Sequence, residues 1–138
     1  MAKELTFIDA SSFPGGLEAL AALYTETFQE YYSEGALQPV LITADDLASY
    51  VVDEQIDLDA SPVMLVDGEP AGLVTIGLRA HGEAYCRGFG IVPAFRGEKL
   101  GVPLANEMVR RALEHGAVET SFMSLNCMAD NHSAIYSY

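Results

Sequence analysis

The sequence predicts an α/β (α+β) domain, a mixed and mainly antiparallel sheet flanked by helices, in the order β-α-α-β-β-β-α-β-α. Three observations carry this prediction. Between Pro62 and Val92, three β-prone stretches are separated by the tight-turn signals Asp67-Gly68 and Ala80-His81-Gly82, which makes an antiparallel meander. Two other stretches, opening at Gly16 and Gly101, repeat apolar residues at intervals of three and four, the period of amphipathic helices. The second of these lies between two strands, so that passage is a crossover between parallel neighbours.

The elements follow in order. Leu5-Thr6-Phe7-Ile8 is short and β-prone, and a Ser-Ser-Phe-Pro-Gly-Gly loop after Asp9 ends it. Leu17, Leu20, Tyr24, Phe28 and Tyr31 mark the first helix, and Gly35 stops it. Thr43 caps the second helix with Asp46 three residues later; Ile42 and Leu47 are spaced as a hydrophobic staple, and Leu47, Tyr50 and Val51 form its apolar side. The meander strands are Pro62–Val66, about Ala71 to Arg79, and Glu83–Val92, the last ended by Pro93. His81 falls at a turn tip and reads as solvated.

Strict alternation in the third meander strand puts Tyr85, Arg87, Phe89 and Ile91 on one face and Ala84, Cys86, Gly88, Gly90 and Val92 on the other. Glycines inside a strand mark a close approach by another backbone or a distortion that admits a ligand. The third helix runs to His115 and packs through Leu100, Leu104, Met108 and Ala112, with Arg110 and Arg111 outward; Pro103 is tolerated in its first turn and Gly116 ends it. Val118 to Leu125 reads as a strand, and Asp130-Asn131 caps a last helix through Tyr138.

With 138 residues and half of them apolar, the chain reads as a single domain, 1–138, large enough to bury a core. No apolar run reaches the roughly 18 residues of a membrane span, and Met1-Ala2-Lys3-Glu4-Leu5 lacks the order of a signal peptide. Cys86 and Cys127 have no metal or redox spacing and read as reduced thiols, so the expected location is cytoplasmic, without membrane association. The net charge of −13 excludes free nucleic acid as a partner. Residues 1–78 hold fourteen acids and one base, whereas six of the seven bases fall between 79 and 111. That asymmetry suggests a basic patch for an anionic cofactor beside an acidic region suited to a cationic co-substrate.

Several motifs fail. Gly88-Phe89-Gly90 meets a proline at position 93 and cannot open a dinucleotide fold; there is no Gly-Lys-Ser/Thr phosphate loop, no zinc-type cluster and no Gly-x-Ser-x-Gly elbow. One stretch holds. A strand, the turn Arg96-Gly97-Glu98-Lys99-Leu100-Gly101 and a helix aim unpaired N–H groups and the positive helix end at one spot, which suits a phosphate.

From Ile91 to Gly101 the sequence resembles the GNAT superfamily of acetyl-CoA-dependent N-acetyltransferases, whose signature is a hydrophobic residue, x, Pro, then Arg/Gln-x-x-Gly-x-Gly/Ala opening a helix. Ile91, Pro93, Arg96 and Gly101 match, and Lys99 stands where the family has its middle glycine. A second signature, Asn-x-x-Ala-hydrophobic-x-x-Tyr, is met by Asn131-His132-Ser133-Ala134-Ile135-Tyr136-Ser137-Tyr138. The element order matches across nearly the whole chain, except that the family's last two strands lie beyond Tyr138.

The resemblance implies direct transfer of the acetyl group of acetyl-CoA to a primary amine of a small molecule or peptide, with no metal. It implies that Ile91, Val92, Arg96, Gly97, Glu98, Lys99, Leu100, Gly101 and Asn131 bind the cofactor. Tyr138, backed by Tyr136, is the implied general acid, and Glu83 is the candidate base. Tyr31, Tyr32 and Glu34 lie where the family shapes its acceptor pocket. A homodimer or a partner segment is expected to complete the sheet edge. The rival reading is a non-catalytic acyl-CoA-binding or structural module, one degenerate half of a tandem protein.

Overall fold

The computed structural model describes residues 3–33, 41–78, 84–116 and 124–125. Its sheet has the order β1-β2-β3-β4-β5, formed by Leu5–Asp9, Pro62–Val66, Glu69–Leu78, Ala84–Ile91 and Ser124–Leu125. The first four strands are antiparallel neighbours, and β5 lies parallel to β4. The helices are α1 (Gly16–Ser33), α2 (Ala44–Asp53) and α3 (Gly101–Glu114). The mixed α/β architecture predicted from the pattern is therefore present, with the ends of β1 to β4 within a few residues of those expected; of the strand expected from Val118 to Leu125, Ser124–Leu125 are described. The predicted last helix, the turn around His81, and Cys127 lie outside the described residues.

Two apolar layers hold the sheet. On one face α3 contributes Leu104, Ala105 and Met108 to a cluster with Met64, Val74, Ile76, Cys86, Phe89 and Ile91. On the other, Leu20, Tyr24 and Phe28 of α1 and Leu47 of α2 meet Val63, Leu73 and Val92. Local chemistry sets the joints. Asp67 and Gly68 both take positive φ, 49° and 84°, the conformation that a two-residue hairpin requires. Thr43 accepts from the Asp46 N–H at 3.1 Å, and Asp46 accepts from the Thr43 N–H at 3.0 Å, a complete capping box. Hydrogen bonds from the Thr43 backbone and side chain hold the pKa of the Asp46 carboxyl below its ordinary value.

The alternation expected along β4 does not persist. Thr75 pairs with Gly88 but its neighbour Ile76 pairs with Cys86, so Arg87 is an extra residue, a β-bulge. One extra residue reverses the parity of everything behind it. Cys86 consequently shares the α3 face with Phe89 and Ile91. Tyr85 turns to the opposite face, where its hydroxyl donates to the Glu54 carbonyl after α2.

The two β4 glycines make room for α1. A Cβ on Gly90 would lie 2.5 Å from Thr27 Cγ2 and 2.7 Å from the Phe28 ring, and one on Gly88 would lie 2.8 Å from Thr75 Oγ1. Thr27 and Phe28 of α1 therefore account for Gly90, and Thr75 of β3 together with the Tyr24 hydroxyl of α1, 3.1 Å away, accounts for Gly88. Gly90→Ala is expected to destabilise the fold by about 1–3 kcal/mol through overpacking, read as a lower denaturation midpoint with an unchanged slope.

The outward placement expected for Arg111 is also corrected. It is 7% exposed, because positions 104, 108 and 111 form one stripe along α3. Its Nε donates to Glu107 Oε2 at 2.7 Å and its terminal nitrogen reaches Asp9 at the end of β1. Arg110 does face solvent, donating to both Glu107 oxygens at 2.8 and 2.6 Å. Burial raises the Glu107 pKa, but the hydrogen bonds from Arg110 and Arg111 outweigh it and hold that carboxyl below its ordinary value.

Candidate functional site

The site begins beyond the last described pair of β4 with β5. Among the described residues β5 pairs β4 only at Tyr85 and Cys86, immediately before the Arg87 bulge. Beyond it, the Val92 N–H donates to the Ala71 carbonyl of β3 at 2.7 Å. Successive residues turn their backbone groups to opposite edges, so Phe89 and Ile91 present theirs to the β5 side.

The turn predicted to bind an anion follows directly. Pro93–Phe95 form one 3₁₀ turn. Gly97 then takes φ 86° and Lys99 φ 59°, and α3 opens at Gly101. Left-handed residues inside such a turn bend the chain so that several N–H groups converge. Lys99 is the costly member: a lysine at positive φ is strained by about 1 kcal/mol or more.

The first hydrogen bond of α3 runs from the Leu104 N–H to the Leu100 carbonyl at 3.2 Å. Among the described residues the N–H groups of Lys99, Leu100, Gly101 and Val102 donate to no backbone carbonyl. No side chain caps this helix. Four unspent donors at a positive helix end fit a diphosphate.

Arg96 has two of its donors directed inward. Its Nε donates to the Ile91 carbonyl and its terminal nitrogen to the Thr27 carbonyl of α1, both at 3.1 Å. The half-buried guanidinium thus fastens the turn to the end of β4 and to α1, and so acts as a clamp on the loop. Glu98 points outward to Lys3 at 2.9 Å, which raises the Lys3 pKa through that hydrogen bond. Lys3 also lies 6.0 Å from the Phe95 ring centroid, so the start of β1 braces the outer side of the turn.

The basic patch is largely neutralised. Arg87 pairs with Glu54, Arg110 with Glu107 and Glu114, and Arg111 with Glu107 and Asp9. Of the described bases, Lys99 has no ion pair and is exposed. Ile91, Val92, Arg96, Gly97, Glu98, Lys99, Leu100 and Gly101 all converge on this one strand end, turn and helix start. Asn131, Tyr138, Tyr136 and Glu83 lie outside the described residues, as does Glu34. Among the described residues, no group of His, Cys, Asp and Glu could hold a metal ion.

The bulge brings together a second set that the sequence pattern does not announce. Arg87 donates to Glu54 Oε1 at 3.0 Å and stacks 5.9 Å from the centroid of the Tyr85 ring. The available signal was an arginine inside an otherwise apolar strand.

The family profile described as acetyltransferase (GNAT) family matches residues 17–138. Among solved structures, the chain is similar to the ribosomal-protein-S18-alanine N-acetyltransferase of Escherichia coli, at 14% identity and a TM-score of 0.56 over 83% of this chain and 63% of that one. A GCN5-related N-acetyltransferase from Sphaerobacter thermophilus matches at 17% identity and a TM-score of 0.64, over 96% and 41%. The N-acetylglutamate synthase of Neisseria gonorrhoeae, solved with coenzyme A and N-acetyl-glutamate, matches at 14% and 0.53, over 84% and 24%. The chain therefore spans less than two thirds of the length of each of these three. No curated protein sequence matches it. With its profile match covering most of the chain and the same fold in these enzymes, the chain belongs to the acetyltransferase (GNAT) family.

Proposed function

We propose that the chain is an acetyl-CoA-dependent N-acetyltransferase acting on a primary amine of a small molecule or peptide. The observation that carries this reading is the cluster of N–H groups of Lys99, Leu100, Gly101 and Val102, unspent among the described residues, beside the end of β4. Acetyl-CoA, when bound, supplies a thioester whose carbonyl carbon an amine can attack.

In this reading the turn amides hold the diphosphate and the Lys99 ammonium lies along it. The Ile91 N–H, at the end of β4, polarises the thioester carbonyl. Arg96 keeps strand end and turn in register without touching the ligand. As the C–N bond forms and the C–S bond breaks, two protons must move. A free alkylamine has a pKa of roughly 10, so a base must accept its proton, and Glu83 is assigned that role. Tyr138 gives a proton to the leaving thiolate and recovers one from the nitrogen as the amide forms, since a phenol near ~10 can protonate a thiolate whose thiol titrates near ~8.5 with little penalty. Asn131 contacts the pantetheine arm.

Calorimetry with acetyl-CoA, followed by a thiol-release assay against a panel of amines, tests the proposal. The expected result is saturable binding, and thiol release above the rate of hydrolysis with at least one amine. No heat and no thermal shift at millimolar acetyl-CoA would remove the proposal altogether. Binding without amine-dependent release would instead identify a non-catalytic acyl-CoA-binding module, the reading that Lys99 in a glycine position favours.

A further inference from the structure

We infer that Arg87 recognises a carboxylate on the amine acceptor, so that the acceptor is an amino acid or a similarly compact amino-carboxylate. The inference rests on the acetyl-transfer reading for the identity of the reaction, and on separate observations for the site.

The first observation is position. The anion-binding turn opens α3, and α3 covers one face of the sheet. A cofactor anchored there leaves the opposite face, that of α1 and α2, for the co-substrate. The bulge turns Arg87 onto that face, because it pairs with Glu54 just after α2 and lies beside Tyr85. Arg87 also follows directly on the last described β4–β5 pair, Cys86 with Leu125. The Ile91 N–H, assigned to the thioester carbonyl, is four residues further on, roughly 13 Å along a strand. An extended arginine side chain and an amino-acid-sized molecule together span that gap.

The second observation is an unsatisfied donor. The Arg87 Nε is buried and has no hydrogen-bond partner. Glu54 takes only one terminal nitrogen, at 3.0 Å, while the side chain remains 31% exposed. A buried N–H left without an acceptor is an expensive arrangement, and such exceptions in a folded protein call for an explanation. A guanidinium presents its donors as a planar fork matched to a carboxylate. A second carboxylate entering at the exposed edge would complete it, with a small swing of the side chain bringing Nε into the pair. Stacking on Tyr85 keeps the plane of the fork fixed.

Charge fits the same acceptor. The chain as a whole is strongly acidic, −13, so an anion without a local cation would be repelled. A zwitterion satisfies both fields: its ammonium end is drawn by the acidic surroundings and its carboxylate by Arg87. Glu54 competes for the same guanidinium and sets how tightly the carboxylate is held.

The test compares amino acids with their own carboxamides, which keep the amine and the shape and lose the charge. The wild-type protein is expected to prefer the acid over the amide by about tenfold or more in kcat/KM, as for loss of a charge-assisted pair. In Arg87→Gln that preference falls to about one. Arg87→Lys retains part of it, and Glu54→Gln increases it by freeing the fork. Thermal melts of all three variants establish that they are folded, and Glu54→Gln gives an opposite-signed readout that a merely unstable variant would not. Amides used as well as acids by the wild type, or an equal loss of both in Arg87→Gln, overturn the inference. If no amine releases thiol, the transfer reading fails. Calorimetry of the same acid and amide pairs then still decides the role of Arg87, since acids that bind no tighter than amides refute it.

Discussion

Arg111→Ala is expected to lower stability by about 3 kcal/mol, the lower end of the range for breaking a buried ion pair. The side chains of Arg111 and Glu107 are each 9% exposed, and Arg111 ties α3 to Asp9 at the end of β1. Its removal leaves half-exposed Asp9 without its pair and the buried Glu107 with Arg110 alone. The value stays at the low end because Arg110 still holds both oxygens of Glu107. At this chain length the expected loss in Tm is about 10 °C. Arg111→Met combined with Glu107→Gln should recover much of it, because removing both charges also removes the desolvation penalty. A double variant as unstable as Arg111→Ala would show that packing, and not the charge pair, dominates.

The same network has a pH signature. The Glu107 carboxyl is held below its ordinary value of 4.5 by Arg110 and Arg111. A depressed folded-state pKa contributes stability that is fully present above the unfolded value and is lost as pH falls through the folded one. The gap between wild type and Glu107→Gln is therefore expected to hold near neutrality and to narrow below about pH 4.5, in denaturation midpoints measured across pH.

Val102→Asp is expected to move stability and cofactor binding in opposite directions. Val102 lies in the first turn of α3, 42% exposed, and its N–H is among the unspent donors. A carboxylate there complements the positive helix end and should stabilise the fold by about 0.3–1 kcal/mol. The same charge occupies and repels the position assigned to a diphosphate, so the Kd for acetyl-CoA should rise by about tenfold or more. Thermal melts and calorimetry on one variant suffice. Tighter melting together with unchanged acetyl-CoA binding would place the diphosphate elsewhere.

What could be read from the sequence was what local chemistry controls. Asp67-Gly68, the Thr43–Asp46 capping box, and the turn leading into α3 each depend on a few adjacent residues, and each is present. The bulge at Arg87 was hidden, because an apolar strand with small residues on both faces reads as continuous in either parity. Arg111 was misplaced for a related reason: its helical position belongs to the core stripe, but arginine is ordinarily a surface residue, and Asp9, 102 residues away in sequence, makes its burial affordable. Of the predicted site, the turn was legible as a peptide-level pattern. The inward path of Arg96 was not, since its acceptors are carbonyls on α1 and on β4 that only the assembled fold brings near.

The extra residue in β4 has a consequence for how this chain can change. Upstream of Arg87 the strand sends one set of alternate side chains to the α3 layer, and downstream it sends the complementary set. The strand therefore carries two phases joined at a single point, much as two reading frames meet at a one-base insertion. Substitutions at Arg87 leave both phases intact, which frees the position to vary in chemistry. Loss of the residue would exchange Phe89 and Ile91 with Gly88 and Gly90, setting bulky side chains against α1 and empty space against α3. Length at this point is fixed by the core, while identity is left to the ligand.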